Sequence, residues 1–284
     1  MNARRLLQLL SVMATVLAVG ACGNLQTPPT DPATIGKASL YPSLMRGYLD
    51  NDRLPDSLAL LPAPPQPGSV AFNGDEQAYA DTRSLVNQPR GELARRDAHL
   101  KFPDATEAFH CAMGFAVDGA AMPHLQTLMR RVMADSALST FKAKDHYKRV
   151  RPFIYNKQAS CTPNEDASLA KNGSYPSGHA ALGWAWALVL AELMPERANA
   201  LFQRAFDYGR SRVICGAHWQ SDIDAGRLMG AASVAVLHTD PAFRAQMELA
   251  GAEIAAMQRQ TLSPPKSCEL ENQVSRDPAR PPRQ

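Results

Sequence analysis

After its N-terminal region, the sequence lacks any apolar run long enough to cross a bilayer. A spanning helix needs roughly 20 apolar residues, and no such run follows residue 19. The early apolar stretch, residues 6–19, follows the basic pair Arg4 and Arg5 and has the length of the hydrophobic part of a signal peptide. We therefore predict no transmembrane helix and a cleaved export signal over residues 1–21.

Small residues surround the predicted cleavage site and are followed by Cys22. This pattern resembles a bacterial lipobox, in which the cysteine becomes the lipidated N-terminus of the mature protein. The alternative is ordinary cleavage nearby, in which Cys22 has no role. We expect lipidation, which would place the protein in the periplasm with a lipid anchor to the outer membrane.

A strong excess of either charge is also missing. The formal net charge is +3, and removal of Arg4 and Arg5 with the signal lowers it to +1. General nucleic-acid-binding proteins usually carry a marked basic excess. The balance therefore argues against a nucleic-acid partner, and any basic cluster must be local.

Alternating β-branched runs are nearly absent, so few strands are expected. Apolar residues recur instead at helical spacing. The sequence predicts an all-α fold, a single-domain helical bundle. Residues 178–194 are apolar on nearly all sides, which is typical of a central buried helix. The other predicted helices cover residues 76–87, 91–100, 105–116, 123–138, 140–150, 196–209, 221–238 and 241–261.

Extended, proline-rich segments flank the predicted helical domain, which would occupy residues 41–262. Residues 22–40 are predicted to form a flexible tether. Residues 263–284 are polar and proline-rich, and we expect a disordered tail there.

Cysteines are few and widely spaced. Besides Cys22, the sequence has Cys111, Cys161, Cys215 and Cys268. Their spacing does not fit a zinc knuckle. Four cysteines in an exported chain suggest two disulfides with three possible connectivities, and buried free thiols are the alternative.

Three short strings carry residue types suited to a phosphate site. The first, residues 144–152, places Lys144 and Arg151 seven residues apart, which we expect to be two turns along one helix face. Arginine offers a planar fork of donors to phosphate oxygens, and lysine a compact charge. A solvated basic face is the alternative, because other cations crowd the same region: Lys142, Lys148 and Arg149.

The second string, residues 173–179, stands at the start of the predicted central helix. The N–H groups at a helix N-terminus favour an anion. Gly178 lets the backbone approach closely, and Ser177 adds a hydroxyl donor. His179 is then placed to give a proton to a leaving oxygen. A helix cap with a structural histidine is the alternative.

The third string, residues 211–222, contains Arg212, His218 and Asp222. A histidine and an aspartate four residues apart can meet on one helical turn. A carboxylate at Nδ1 fixes the tautomer and leaves Nε2 free as a nucleophile. Arg212 supplies another fork for phosphate. An ordinary pair at a helix start is the alternative.

In combination, the strings resemble the pattern K-x6-R-P, P-S-G-H and S-R-x5-H-x3-D of the superfamily of type-2 phosphatidic acid phosphatases and vanadium haloperoxidases. Within that superfamily, residues 56–62, 173–175 and 211–222 resemble the bacterial class A non-specific acid phosphatases. The resemblance covers about residues 41–261. One departure is Ala180, where many class A sequences carry threonine.

The resemblance implies an exported acid phosphatase that hydrolyses small phosphate monoesters with broad specificity and uses no metal or cofactor. His218 would attack phosphorus to form a phosphohistidine, Asp222 would orient it, and His179 would protonate the leaving alcohol. The phosphate would be held by the remaining motif residues: Lys144, Arg151, Ser177, Gly178 and Arg212. Class A relatives form homo-oligomers, so the resemblance also implies self-association.

Other activities remain as alternatives. A vanadate-dependent haloperoxidase would use the same anion cage, but the class A strings argue against it. A lipid phosphate phosphatase would act at the membrane surface, and the absence of predicted transmembrane helices argues against it. A phosphate-binding protein would not need a matched nucleophile and acid.

Overall fold

The computed structural model describes residues 27–260, 265 and 268–275. The predicted signal peptide and Cys22 lie outside these residues. Within them there is no β-strand, only an isolated bridge between Lys37 and Met45, so the all-α prediction is confirmed. None of the helices within these residues is long and apolar enough to cross a membrane.

A long connection separates the first two helices, and the later connections are shorter. In chain order they are α1 (Pro32–Ile35), α2 (Ser57–Leu60), α3 (Val70–Thr82), α4 (Pro89–Arg96), α5 (Glu107–Met113), α6 (Pro123–Leu138), α7 (Phe141–Tyr147), α8 (Pro152–Tyr155), α9 (Pro163–Leu169), α10 (Gly178–Leu193), α11 (Ala198–Ile214), α12 (Gln220–Leu237), α13 (Pro241–Gln258) and α14 (Cys268–Ser275). Short 3₁₀ turns cover Arg83–Leu85, Asp104–Thr106 and Pro195–Arg197.

α10 packs against α6, α11 and α12. Its Trp186 is fully buried, and the indole Nε1 donates to the carbonyl oxygen of Met129 on α6 over 2.8 Å. An indole N–H needs such a partner when it is buried. The apolar helix is thus fixed in rotation as well as in position.

α12 approaches the start of α10 closely enough to require glycine. A Cβ at Gly226 would lie 2.4 Å from the carbonyl oxygen of Ser177, and one at Gly230 would lie 2.3 Å from that of Ala181. The N–H of Ser177 donates to the carbonyl oxygen of Asp222 over 2.8 Å. The N-terminal ends of α10 and α12, which carry two of the three strings, are therefore joined.

The predicted tether has more structure than its proline content indicates. In its described part α1 is capped by Asp31, whose carboxylate accepts from the N–H groups of Ala33 and Thr34, and Ile35 is buried. Proline content favours a flexible tether, whereas aspartate followed by proline is also a favourable helix start.

The prediction of a disordered tail is wrong for α14. Cys268 forms a disulfide with Cys111, and Glu271 pairs with Arg96 over 2.7 Å. A polar segment thus gains order from bonds to residues far away in the chain, which composition does not reveal. The other disulfide joins Cys161 to Cys215, so the connectivity that the sequence left open is now assigned.

Candidate active site

Lys144 and Arg151 do not share a helix face. α7 ends at Tyr147, and Lys148 adopts a left-handed backbone conformation with a φ of 43°. Arg151 has extended backbone and caps α8, as expected for a residue that precedes proline. The predicted helix over residues 140–150 was too long, and the helical-face argument was wrong.

The two cations converge instead on one backbone carbonyl. Lys144 Nζ donates to the carbonyl oxygen of Gly173 over 3.0 Å, and Arg151 Nη2 donates to the same oxygen over 3.4 Å. Both side chains are buried. The first string is thereby joined to the second through Gly173.

The second string forms the start of α10, as predicted. Ser177 is the N-cap, and its Oγ accepts from the N–H of Ala180 over 3.3 Å. Gly178 is the first helical residue, so its N–H is one of those that an α-helix leaves without an internal partner. His179 Nε2 lies 3.2 Å from the carbonyl oxygen of Ala98.

α11 ends in a Schellman turn between Arg212 and His218. Gly216 has a φ of +69°, its N–H donates to the carbonyl oxygen of Val213 over 2.8 Å, and the N–H of Ala217 donates to that of Arg212 over 3.0 Å. The helix predicted to end at residue 209 therefore continues to Ile214.

α12 begins directly after His218, with Trp219 as its N-cap. Asp222 Oδ2 accepts from the N–H of Trp219 over 2.8 Å and lies 3.4 Å from His218 Nδ1. His218 and Asp222 therefore meet across a helix cap, not on a helical turn as predicted. The distance between them is longer than a well-formed hydrogen bond.

Arg151 identifies the nitrogen of His218 that carries the lone pair. Its Nη1 lies 3.2 Å from His218 Nε2 and donates to the carbonyl oxygen of Ala217 over 2.9 Å. A guanidinium group can only donate, so we assign Nε2 as an acceptor and place the ring proton on Nδ1, toward Asp222. In this tautomer the lone pair that can attack phosphorus is on Nε2.

Arg212 is the most unusual cation of the cluster. Its side chain is fully buried, and none of its three guanidinium nitrogens has a hydrogen-bond partner among the described residues. A buried charge without a partner costs several kcal/mol. Such a group is stabilised by an anion with several acceptor oxygens.

The cations depress the basicity of both histidines. Burial lowers the pKa of His218 well below its usual value, and Arg151, Lys144 and Arg212 lower it further. Burial, followed by Arg212, likewise lowers the pKa of His179 well below its usual value. Both shifts have the same physical cause, since burial and neighbouring positive charge disfavour a charged imidazolium.

The structure thus brings the predicted residues of the three strings to one place. Those connected by the contacts and charge interactions above are Lys144, Arg151, Ser177, Gly178, His179, Arg212, His218 and Asp222. Among the described residues, no group of three or more histidine, cysteine or acidic side chains forms a metal-binding cluster.

Two acidic residues that lie next to the site could not be recognised as part of it from the sequence. Asp97 is buried and accepts from Ser211 Oγ over 2.6 Å, and it pairs with Arg204. Asp97 thereby connects Ser211, the residue before Arg212, to its own neighbour Ala98. The carbonyl oxygen of Ala98 contacts His179. The other is Asp75, which binds Arg149.

Arg149 does not lie on a solvated basic face, which was the alternative given for this stretch of cations. Its side chain is only 7% exposed and pairs with Asp222 over 2.6 Å and with Asp75 over 2.7 Å. Both carboxylates belong to residues more than 70 positions away. Local sequence cannot reveal such burial.

A family model matches this part of the chain. Residues 127–245 match the PAP2 superfamily, and this range includes all three strings. A solved structure, described as the first bacterial vanadium-dependent iodoperoxidase, aligns with a TM-score of 0.47 and 19% identity over 75% of this chain and 62% of that one.

Relatives with named activities are more similar. A non-specific acid phosphatase of Providencia stuartii is 40% identical over 89% of this chain and 99% of that protein. An acid phosphatase of Zymomonas mobilis is 41% identical over 70% of this chain and 75% of that protein. A non-specific acid phosphatase of Salmonella typhimurium is 40% identical over 65% of this chain and 74% of that protein.

Proposed function

Because this chain belongs to the class A non-specific acid phosphatases of the PAP2 superfamily, and is therefore a phosphoric monoester hydrolase, we propose that it acts through a phosphohistidine formed on His218. The observation that carries the proposal is the arrangement of His218 and Arg212. A lone pair on Nε2 of His218 belongs to the same cluster as a buried guanidinium group that has no partner among the described residues.

In the first step, His218 Nε2 attacks the phosphorus atom and forms a nitrogen–phosphorus bond. The ester bond breaks, and its electron pair leaves with the alcohol oxygen, which takes a proton from His179. The imidazole of His218 becomes positively charged. Asp222, on the side of Nδ1, stabilises that charge.

In the second step, water attacks the phosphorus atom while neutral His179 accepts a proton from it. The nitrogen–phosphorus bond breaks, and its electron pair returns to Nε2 of His218. Inorganic phosphate leaves, and His179 is again protonated. The same residue therefore acts as acid and then as base.

Lys144, Arg151 and Arg212 would hold the phosphoryl oxygens, with Ser177 Oγ and the N–H of Gly178 as neutral donors. Phosphoryl transfer depends mainly on positioning and on stabilisation of charge. Three buried cations supply that stabilisation, so we propose that no divalent metal is required. Every one of these groups addresses the phosphoryl group and not the alcohol, which supports broad specificity for small phosphate monoesters.

We also propose that the enzyme is exported and anchored through Cys22. The basic and apolar N-terminal sequence supports export, and two disulfides fit an oxidising compartment. Self-association is proposed from the class A resemblance alone. Change of Cys22 to alanine should release the protein from membranes, whereas continued membrane association would exclude the lipid anchor.

A substrate panel tests the proposed function. Nucleotides, sugar phosphates, aryl phosphates and phosphatidic acid should be assayed across pH, with and without EDTA, and peroxide plus halide should be tested with vanadate. We expect turnover of several soluble monoesters at acidic pH that survives EDTA. Activity confined to phosphatidic acid, halide oxidation without phosphatase activity, or a loss that metal restores would contradict the proposal.

A further inference from the structure

We propose that Arg149 and Asp75 are positioning residues for the nucleophile, which they orient through Asp222. The proposal rests on the proposed role of His218. Neither residue touches the histidine in the contacts described above. Their effect would be transmitted by a row of four groups with alternating charge: Asp75, Arg149, Asp222 and, during the reaction, the His218 imidazolium.

The row is held by short bonds between buried groups. Arg149 Nη1 donates to Asp222 Oδ1 over 2.6 Å, and its Nη2 donates to Asp75 Oδ2 over 2.7 Å. The side chains of Asp75 and Asp222 are 3% and 0% exposed. The planar guanidinium group thus bridges two carboxylates, a task for which a lysine ammonium has neither the shape nor the donor geometry.

Asp75 fixes this bridge to the same helix end that carries Asp222. Its Oδ1 accepts from the N–H of Ser221 over 2.8 Å, and its Oδ2 accepts from Ser221 Oγ over 2.6 Å. Arg149 Nη1 also donates to Ser221 Oγ over 2.8 Å. α3, which contains Asp75, is therefore attached to the first turn of α12 one residue before Asp222.

The bridge leaves Asp222 a single orientation. One oxygen, Oδ1, is bound by Arg149, while Oδ2 is bound by the N–H of Trp219 and faces His218 Nδ1. Rotation of the carboxylate would break both bonds. The distance of 3.4 Å between Asp222 and His218 Nδ1 is too long for a strong hydrogen bond. The alignment of Asp222 therefore depends on its bonds to Arg149 and to the N–H of Trp219.

The same row adjusts how much negative charge Asp222 offers to His218. The positive charge of Arg149 partly neutralises the carboxylate of Asp222. The negative charge of Asp75, on the other side of the guanidinium group, offsets this effect. With Asp75 neutral, Arg149 would pull on Asp222 alone. The phosphorylated imidazolium would be less stabilised, so its formation would slow and its hydrolysis would speed up.

The test is pre-steady-state kinetics on Asp75→Asn and Arg149→Gln, with Lys142→Gln as the matched control. Lys142 belongs to the same basic stretch but pairs with Asp56 at the surface. Rapid-quench assays with p-nitrophenyl phosphate give the rate of phosphoenzyme formation and of its hydrolysis separately. The midpoint of thermal unfolding reports on folding in each variant.

For Asp75→Asn we expect formation to slow by roughly 10- to 100-fold, the range that applies to groups that orient metal ligands, while hydrolysis of the phosphoenzyme is unchanged or faster. Arg149→Gln should also slow phosphoenzyme formation, and Arg149→Lys should restore less than half of the lost rate. A lysine side chain cannot bridge both carboxylates. A purely structural role would lower both rates equally, in proportion to the folded fraction, and would overturn the inference.

Failure of the inference can be separated from failure of the proposed function. If His218→Ala still forms a phosphoenzyme, the proposed function fails. If His218→Ala forms none, while Asp75→Asn and both Arg149 variants match Lys142→Gln, only the positioning role is refuted. Asp75→Asn preserves the shape of the side chain, so it remains informative even if Arg149→Gln does not fold.

Discussion

The backbone N–H of His218 donates to the carbonyl oxygen of Arg212 over 3.2 Å. The proposed nucleophile and the fully buried guanidinium group are thus joined by main chain, within the Schellman turn that ends α11. The five residues that separate Arg212 from His218 in the third string form that turn. Any change that opens the turn should separate the two groups.

Gly216→Ala should destabilise the protein and also impair catalysis. An L-residue in the left-handed region costs about 1–3 kcal/mol, and the new Cβ would lie 3.3 Å from Tyr79 and 3.5 Å from Arg83. The turn would relax and displace His218. Urea unfolding and kcat/KM measure the two effects.

Gly36→Ala is the control, because Gly36 has a φ of +81° with nothing within 4 Å of the added Cβ. It should lose stability but keep kcat/KM per folded molecule. Equal kcat/KM in the two variants would show that the turn does not position His218.

Loss of the Cys161–Cys215 disulfide should affect catalysis, whereas loss of Cys111–Cys268 should not. Cys215 is the C-cap of α11, between Arg212 and His218, and its carbonyl oxygen accepts from the N–H of Cys161 over 3.0 Å. Removal of a disulfide typically costs about 2–4 kcal/mol. Double serine variants of each pair should therefore both lose stability.

Steady-state kinetics below the unfolding transition distinguish the two disulfides. The Cys161/Cys215 variant should show a lower kcat or a higher KM, and the Cys111/Cys268 variant should match the parent. If both variants match the parent in kcat and KM, the bond near the site is needed for stability alone.

In the pH profiles, the basic limb, where activity falls as pH rises, should lie at higher pH for kcat than for kcat/KM. Burial and Arg212 lower the pKa of His179, so its proton is lost as pH rises through that depressed value, and activity falls with it. A bound phosphate ester offsets the charge of Arg212 and raises the pKa of His179. Since kcat reports the complex and kcat/KM the free enzyme, the limbs should separate in this order.

His179→Ala provides the control for ionisation of the substrate itself. With p-nitrophenyl phosphate, whose leaving group needs little protonation, the variant should lose less activity than with an alkyl phosphate, because it lacks only the base of the second step. It should also lose the limb that His179 causes. A variant with an unchanged pH profile would exclude His179 as the acid. So would equal losses on p-nitrophenyl phosphate and on an alkyl phosphate.

Asp97→Ala should be among the most destabilising substitutions. It would leave Arg204 buried with Glu271 as its remaining acidic partner and remove one of the two acceptors of Ser211 Oγ. Removal of one partner of a buried ion pair costs about 3–5 kcal/mol. Urea unfolding measures the change in unfolding free energy.

The exposed pair between Arg46 and Asp50 supplies the comparison. Asp50→Ala should change the unfolding free energy by less than about 1 kcal/mol. A similarly small change for Asp97→Ala would mean that Arg204 finds another partner or solvent.

The sequence could predict the helices whose apolar pattern is long, such as α6, whose predicted bounds, 123–138, match the structure. It could also predict the residue types at the site, because the three strings are local. The end of α11 was predicted too early, at residue 209 instead of Ile214. In the structure Gly209 lies inside the helix, where a Cβ would crowd Ile223, and the helix turns at Gly216 instead.

Features that depend on distant partners could not be predicted. Arg149 stands in a stretch of cations, and only the folded chain places Asp75 beside it. The order of α14 depends likewise on Cys111 and Arg96. Lys144 and Arg151 share the carbonyl oxygen of Gly173 because the helix ends between them. Their seven-residue spacing suggests a continuous helix and so hides this arrangement.

The most direct test of the central claim is to trap the phosphoenzyme during turnover and locate the phosphoryl group by mass spectrometry under alkaline conditions, which preserve phosphohistidine. The account predicts one phosphoryl group on the peptide that contains His218, and none in His218→Ala. A phosphoryl group on another residue, or undiminished trapping in His218→Ala, would contradict it.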